Sequence, residues 1–251
     1  MTVTTADIGA ARVITWDRQE RRNAWDLPTM TAIADAIEAA GAEPAVRCTV
    51  LRGAGAHFSA GDDLQAAIEA DSAAWAATIE GFQRMTRVVL SSPVPAIAAV
   101  DGVCVGGALE FAASCDLRLC TDRIRLLTPE IRIGLVASNA GTLLLPELLG
   151  ETAARELLLS GEERDARWAR EHGFATEVVA PQELDARIEH WTHVFSRTSR
   201  DAVAATKAML NERFGELLPA AMERETHHCV RLFDGQDAQT ALTEFARKRA
   251  N

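Results

Sequence analysis

Apolar and polar residues alternate along Arg12-Val-Ile-Thr-Trp16, the two-residue period of a strand. A polar loop, Asp17–Asn23, follows and carries Arg18, Arg21 and Arg22. Over 26–40 the period changes, and Leu27, Met30, Ile33, Ala34 and Ile37 fall on one helical face. Asp26 is placed to cap that helix, Pro28 sits in its first turn, and Gly41 is expected to close it. Arg47–Leu51 predicts a second strand, 72–90 a helix broken by Pro93 and Pro95, and Pro95–Val100 a third strand. Cys115–Cys120 reads as a fourth strand, 142–149 as an apolar helix, and Phe174–Val179 as the last strand. Gly150, Gly161 and Gly173 separate short helices, and from Pro181 helical periodicity runs to the end with breaks near Ser199, Gly215 and Gly235. The chain therefore reads as α/β over 1–180 and all-helical over 181–251, with a strand–strand–helix rhythm but no exact sequence repeat.

The stretch 99–110 organises the rest. An apolar run ends in Asp101-Gly102, and a second ends in Gly106-Gly107, where a helical pattern begins. A glycine pair at a helix start exposes N–H groups without intrahelical partners, at the end the helix dipole makes attractive to negative charge. Glu110 lies one turn in. Donors for a developing anion beside a carboxylate for proton transfer make a catalytic arrangement. The plainer alternative is that the glycines only permit close packing and Glu110 only decorates a helix start. Glu130, directly after Pro129, is placed to open a single helical turn. The loop Gly53–Leu64 lacks the Gly-Lys-Ser/Thr of a phosphate loop, and the third glycine of a dinucleotide fingerprint would fall on Phe58. His57 reads as a solvated loop residue.

Composition narrows the function classes. Hydrophobic residues make up 48% of the 251, enough for a large core, and the net charge of −10 disfavours nucleic acid and anionic membranes as partners. Lys207 and Lys248 are the only lysines, so arginines must serve any anionic ligand. The five cysteines form no C-x-x-C pair and read as buried structural thiols. No carboxylate, third histidine or cysteine completes a metal set with His190 and His193, and His227-His228 point to different helix faces, so no metal site is expected. The N-terminus has neither a basic start nor an apolar targeting segment, and no apolar run is long enough to span a bilayer; the expected setting is a reducing cytoplasm.

Three motifs in order resemble the crotonase family, the enoyl-CoA hydratase/isomerase superfamily, and the resemblance covers nearly the whole chain. Gly53–Leu64 resembles the family's first oxyanion loop. Asp101–Glu110, followed by Cys115-Asp116, resembles its second, and Thr128–Leu135, followed by Gly141-Thr142, the segment bearing its second acid. Gln19–Ala24 is a softer match. The resemblance implies an α/β crotonase-like spiral of strand–strand–helix turns over 1–180, holding the acyl-CoA site. It implies a helical 181–251 region for trimerisation and for covering CoA, and a homotrimer or a hexamer of two trimers. It implies an acyl-CoA thioester substrate and no cofactor beyond the CoA that the substrate carries.

By motif, the oxyanion hole falls on the N–H groups of Ala60 and Gly107. Glu110 would activate water and Glu130 exchange the α proton, the two facing each other across the acyl chain. Substrate contacts fall on Arg22, Ala24, Gly61, Asp62, Asp63, Leu64, Gly106, Ala137, Ser138, Phe245 and Lys248. Ser138-Asn139-Ala140 departs from the family's glycine-rich stretch and is expected near the second acid and the distal acyl chain. The implied activity is hydration of a 2-enoyl-CoA or dehydration of a 3-hydroxyacyl-CoA. An enoyl-CoA isomerase or another lyase or hydrolase of the superfamily is the alternative. A non-catalytic acyl-CoA or RNA-binding relative is the reading outside enzymes, and retention of both acids counts against it.

Overall fold

A computed structural model describes residues 2–250, with side chains described through Glu244. The strands are β1 (Thr2–Ile8), β2 (Ala11–Asp17), β3 (Cys48–Gly53), β4 (Ala96–Val100), β5 (Val103–Val105), β6 (Leu117–Thr121), β7 (Arg125–Leu127) and β8 (Glu177–Val179). Six of them form one sheet in the order β1-β2-β3-β4-β6-β8, parallel throughout except for the antiparallel β1–β2 hairpin. β5 and β7 make a second, parallel two-stranded sheet. The helices are α1 (Leu27–Ala42), α2 (Leu64–Glu69), α3 (Ser72–Ser91), α4 (Gly107–Ser114), α5 (Gly141–Leu149), α6 (Glu151–Ser160) and α7 (Ala166–Glu171). After β8 come α8 (Leu184–Ser196), α9 (Arg200–Glu212), α10 (Leu217–Phe233) and α11 (Gln236–Ala250). No helix among the described residues is long and apolar enough to cross a membrane.

The predicted strands and long helices form where the periodicity places them, and local chemistry explains their ends. Asp26 caps α1 by accepting from Thr29 N–H at 3.0 Å, and Asp71 caps α3 by accepting from Ala74 N–H at 2.8 Å. Gly41 does not close α1: the helix runs on through Ala42, and Arg200 from α9 donates to the Gly41 carbonyl. β1 escapes the pattern because nearly all of its side chains are exposed on an edge strand. β5, β7 and α2 are too short for periodicity to register.

The small sheet aligns the three motifs. Ser59 bridges to Cys104 of β5, and Cys104 pairs with Leu126 of β7. The chain leaves this row in parallel at Ala60, Gly106 and Thr128, so the segments that follow emerge side by side. Beneath the first of them, Trp16 meets Trp25 and Phe58 edge to face at 5.2 and 5.0 Å, and Trp16 Nε1 donates to the Phe58 carbonyl at 2.7 Å. Asn23, buried with φ +57°, donates from its amide to the carbonyls of Ala54 (2.9 Å) and His57 (2.7 Å). This is how the polar 17–23 loop fixes the first motif. All five cysteines are buried and unpaired.

Candidate active site

Backbone pairing decides which N–H groups of the first loop are free. Trp25 N–H donates to Gly61 O at 2.8 Å, and Asp63 N–H donates to Trp25 O at 2.9 Å. Trp25 therefore engages both peptide groups flanking Asp62, and the N–H of Asp62 itself points the opposite way. Ala60 N–H is spent on Arg22 O at 2.9 Å, and Gly61 N–H on Ser59 Oγ at 3.0 Å. The motif-based assignment of Ala60 as an oxyanion donor is thus corrected: its hydrogen is taken, and the free donor is two residues on. Across the gap, Gly107 is the first residue of α4, so its N–H has no intrahelical acceptor. Among the described residues neither the Asp62 nor the Gly107 N–H has a hydrogen-bond partner. The loops carrying them touch. A Cβ added to Gly61 (φ +81°) would lie 2.5 Å from the Val105 carbonyl oxygen and 3.7 Å from Gly107 N, which only glycine tolerates.

Carboxyl groups surround this pair. Glu110, in the first turn of α4, is fully buried; its Oε2 accepts from Asn139 N–H (2.8 Å) and Gly141 N–H (3.1 Å), and its Oε1 has no partner. Glu130 sits in the 3-10 turn Pro129–Ile133, its Oε1 against Gly106 and its buried Oε2 unpartnered. Glu225 reaches in from α10 and accepts from Ala140 N–H (2.6 Å), Thr142 N–H (2.8 Å) and Thr142 Oγ1 (2.5 Å). It thereby caps α5 and holds Ala140 in a left-handed conformation at φ +60°.

Burial, and then the charges of Glu130 and Glu225, push the Glu110 carboxyl well above the ordinary carboxylate range. Burial raises Glu130 to about 7. Asp62 is also raised to about 7, by burial first and then by Asp63 and Glu130. Glu130 and Asp62, raised to about 7, can hold and release protons at working pH, and Glu110 is raised in the same direction.

A cavity of about 110 Å³ opens onto these groups, and Ala60, Asp62, Leu64, Gly106, Gly107, Glu130 and Ser138 are in its walls. Glu110 is not among the residues of this wall; its carboxyl is buried, with Oε1 unpartnered. Ala137 is buried outside it. Asn139 serves the first acid rather than the second, through its backbone N–H. A neighbouring surface groove is lined by Glu20, Arg21, Arg22, Ala24 and Asp63, and shares Ala60, Asp62 and Leu64 with the cavity. Asp63 is committed elsewhere: its carboxylate pairs with Arg18 at 2.7 Å and caps α2 through Gln65 N–H at 3.1 Å. The Val103 N–H approaches His57 Nδ1 at 3.3 Å, a contact within the loops. The side chains of Phe245 and Lys248 lie outside the described residues. No cluster of three or more His, Cys, Asp or Glu side chains suited to a metal occurs among the described residues.

The family model for enoyl-CoA hydratase/isomerase matches residues 9–251. The chain belongs to that family. A crotonyl-CoA hydratase of Syntrophomonas wolfei subsp. wolfei is 31% identical over 93% of this chain and 90% of its own. A carnitinyl-CoA dehydratase of Salmonella arizonae is 33% identical over 77% of this chain and 74% of its own. Among solved structures, an enoyl-CoA hydratase/isomerase from Xanthobacter autotrophicus Py2 superposes with TM-score 0.87 at 31% identity, covering 98% of this chain and 93% of that one. The α/β crotonase-type fold expected from the motifs is thereby established.

Proposed function

We propose that this enzyme adds water to a 2-enoyl-CoA thioester, or removes it from the 3-hydroxyacyl product. The observation that carries this reading is a pair of free N–H groups, Asp62 and Gly107, opening on one cavity beside the carboxyls of Glu130 and Glu110. The thioester carbonyl oxygen accepts from both N–H groups, with the α4 dipole adding to them. Charge that develops on that oxygen as the α carbon becomes nucleophilic is held without reorganisation.

Glu110, fixed through Oε2, uses its free Oε1 to take a proton from water as the water oxygen bonds to the β carbon. Glu130 gives a proton to the α carbon. The step leaves Glu110 protonated and Glu130 ionised, and return of one proton from the first to the second resets the site. The reverse reaction runs the same transfers backwards. Arg21 and Arg22 on the adjoining groove supply charge for the CoA phosphates. No metal or redox cofactor has a step in this chemistry.

A second reading, migration of a 3-enoyl double bond, is favoured by one fact: Glu130 is in the cavity wall and Glu110 is not. Glu130 alone could then carry the proton from one carbon to the other. Turnover against a panel of 2-enoyl, 3-enoyl and 3-hydroxyacyl-CoAs separates the two. Loss of the conjugated thioester's ultraviolet absorbance on 2-enoyl substrates marks hydration, and its appearance on 3-enoyl substrates marks isomerisation.

The division at Pro181 is read as a core with a helical self-association region, in trimers or paired trimers, in the cytoplasm. Met209, Leu210 and Leu217, each more than half exposed on α9 and α10, support it. That region also serves the site directly, through Glu225 on α10.

A further inference from the structure

Buried polar side chains from three helices hold the turn Ser138–Thr142. Gln83 on α3 brings Nε2 to 2.8 Å from the Ser138 carbonyl, and to 3.1 and 2.9 Å from Met222 O and Thr226 Oγ1 on α10. Glu110 on α4 accepts from the N–H groups of Asn139 and Gly141. Glu225 on α10 accepts from those of Ala140 and Thr142 and from the Thr142 hydroxyl. Four successive N–H groups thus go alternately to two carboxylates. None of Gln83, Glu110 and Glu225 is more than 4% exposed.

The alternation couples the two acids. Ala140, at φ +60°, is in a region that alanine enters only under constraint. Glu225 supplies the constraint from both sides, at the Ala140 and Thr142 N–H groups. Without it Ala140 relaxes, and rotation about its two backbone bonds turns the peptide groups that carry the Ala140 and Gly141 N–H groups. The second of these is a hydrogen bond of Glu110, and the bonds to Oε2 set where the unpartnered Oε1 points. Charge alone argues against a second carboxylate here, because Glu225 disfavours ionisation of Glu110. What Glu225 contributes is geometry. It is not among the residues of the cavity wall, so its effect on the reaction runs through the turn.

Resting on the reading of Glu110 as the acid that activates water, we infer that Glu225 is its positioning residue: by fixing Ala140–Thr142, α10 aims the free oxygen of Glu110. An acid carried by the core is thereby held in register by a carboxylate of the helical region.

Two variants and two readouts test this on the whole protein. Glu225→Leu removes all three acceptor contacts, and Glu225→Gln keeps the length and one acceptor oxygen. The first readout is hydrogen exchange of the individual turn amides, followed by NMR. A residue that only caps α5 protects Ala140 and Thr142; one that positions Glu110 also protects Asn139 and Gly141, although it bonds to neither. Glu225→Leu is expected to speed exchange at all four amides, and Glu225→Gln to do so less. The second readout is hydration of a 2-enoyl-CoA. Glu225→Leu is expected to lower kcat roughly tenfold with KM nearly unchanged, Glu225→Gln to retain part of that loss, and neither to cost anything further in an enzyme already carrying Glu110→Gln. If Glu225→Leu does not fold, the same comparisons are made with Glu225→Gln alone. Faster exchange confined to Ala140 and Thr142 would overturn the inference, as would near-normal kcat or the same fractional loss with and without Glu110→Gln. A wild-type protein that hydrates no 2-enoyl-CoA would sink the hydratase reading, and the exchange at Asn139 and Gly141 would then decide whether Glu225 holds Glu110.

Discussion

Gly141→Ala perturbs the proposed water-activating acid without touching it. The glycine has no positive φ, so alanine is compatible with the backbone, but its Cβ would lie 2.6 Å from Glu110 Oε2, 2.9 Å from Cδ and 3.0 Å from Cγ. Those separations are below contact distance, and the neighbour is a carboxylate held by two hydrogen bonds rather than a loose chain end. Glu110 must swing away. Its Oε2 then loses the N–H of Gly141, of Asn139, or both. A hydrogen bond to a charged group contributes about 1.5–3 kcal/mol. If one such bond positions Glu110 for water, its loss slows hydration roughly 10- to 150-fold.

The fold should survive, because the methyl displaces one side chain at the start of α5. The assay is steady-state hydration of a short 2-enoyl-CoA, with 3-enoyl isomerisation followed in parallel and circular dichroism as a check on folding. Hydration is expected to fall by that factor while any isomerisation carried by Glu130 falls far less. A folded Gly141→Ala enzyme that hydrates within twofold of wild type would refute the assignment of Glu110.

Asp62→Pro removes the proposed donor N–H, while Asp62→Ala keeps it. Losing an oxyanion donor costs about 2.7–4 kcal/mol, so the proline variant should lose a hundred- to a thousandfold in kcat and the alanine variant far less, with equal losses refuting the role of the N–H. Hydration needs Glu130 protonated, and burial raises its carboxyl to about 7. kcat/KM for hydration should therefore fall as pH rises above about 7, and dehydration, which starts from the same singly protonated pair of acids, should follow the same profile; hydration that does not fall above about 7 would contradict the assignment. The same raised value means that the folded state binds more protons than the unfolded one, so this group's contribution to stability declines as pH rises from about 4.5 through 7, and Glu130→Gln should flatten that part of a denaturation series. Glu225→Leu leaves Ala140 N–H, Thr142 N–H and the Thr142 hydroxyl unpartnered, for a loss of about 1–3 kcal/mol; calorimetry should show Tm lowered by several degrees, with Glu225→Gln recovering part.

Turn chemistry and periodicity carry their information locally, and what they govern was readable. Gly106-Gly107 ahead of an apolar helix announces a helix start with spare donors, and Glu110 follows at the spacing that puts it in the first turn. Pro129 before Glu130 announces a short turn. The identity of the other oxyanion donor was not readable in this way. Whether Ala60 or Asp62 has the free N–H depends on the register in which Trp25 pairs with the loop, a contact between segments that no local pattern encodes.

Glu225 had a signal that periodicity alone could have raised. It shares a helix face with Met222 and Cys229, all buried, and a carboxylate on an apolar stripe needs a partner. Its partners lie more than eighty residues away, at the start of α5. Gly41 misled because glycine so often ends a helix; here Arg200, from the other end of the chain, satisfies its carbonyl instead. β1 is exposed at nearly every position and is ordered by pairing with β2.

The central claim is that two buried acids divide the work on an enolate held by two backbone N–H groups. Glu110→Gln and Glu130→Gln test it most directly, each assayed on matched 2-enoyl and 3-enoyl thioesters beside a binding titration with an unreactive acyl-CoA. Glutamine preserves size but transfers no proton. Both variants should bind the acyl-CoA normally and lose hydration by at least a hundredfold, and any isomerisation should be lost only with Glu130→Gln. Full hydration by the Glu110→Gln enzyme would contradict the two-acid mechanism and leave Glu130 as the single proton carrier.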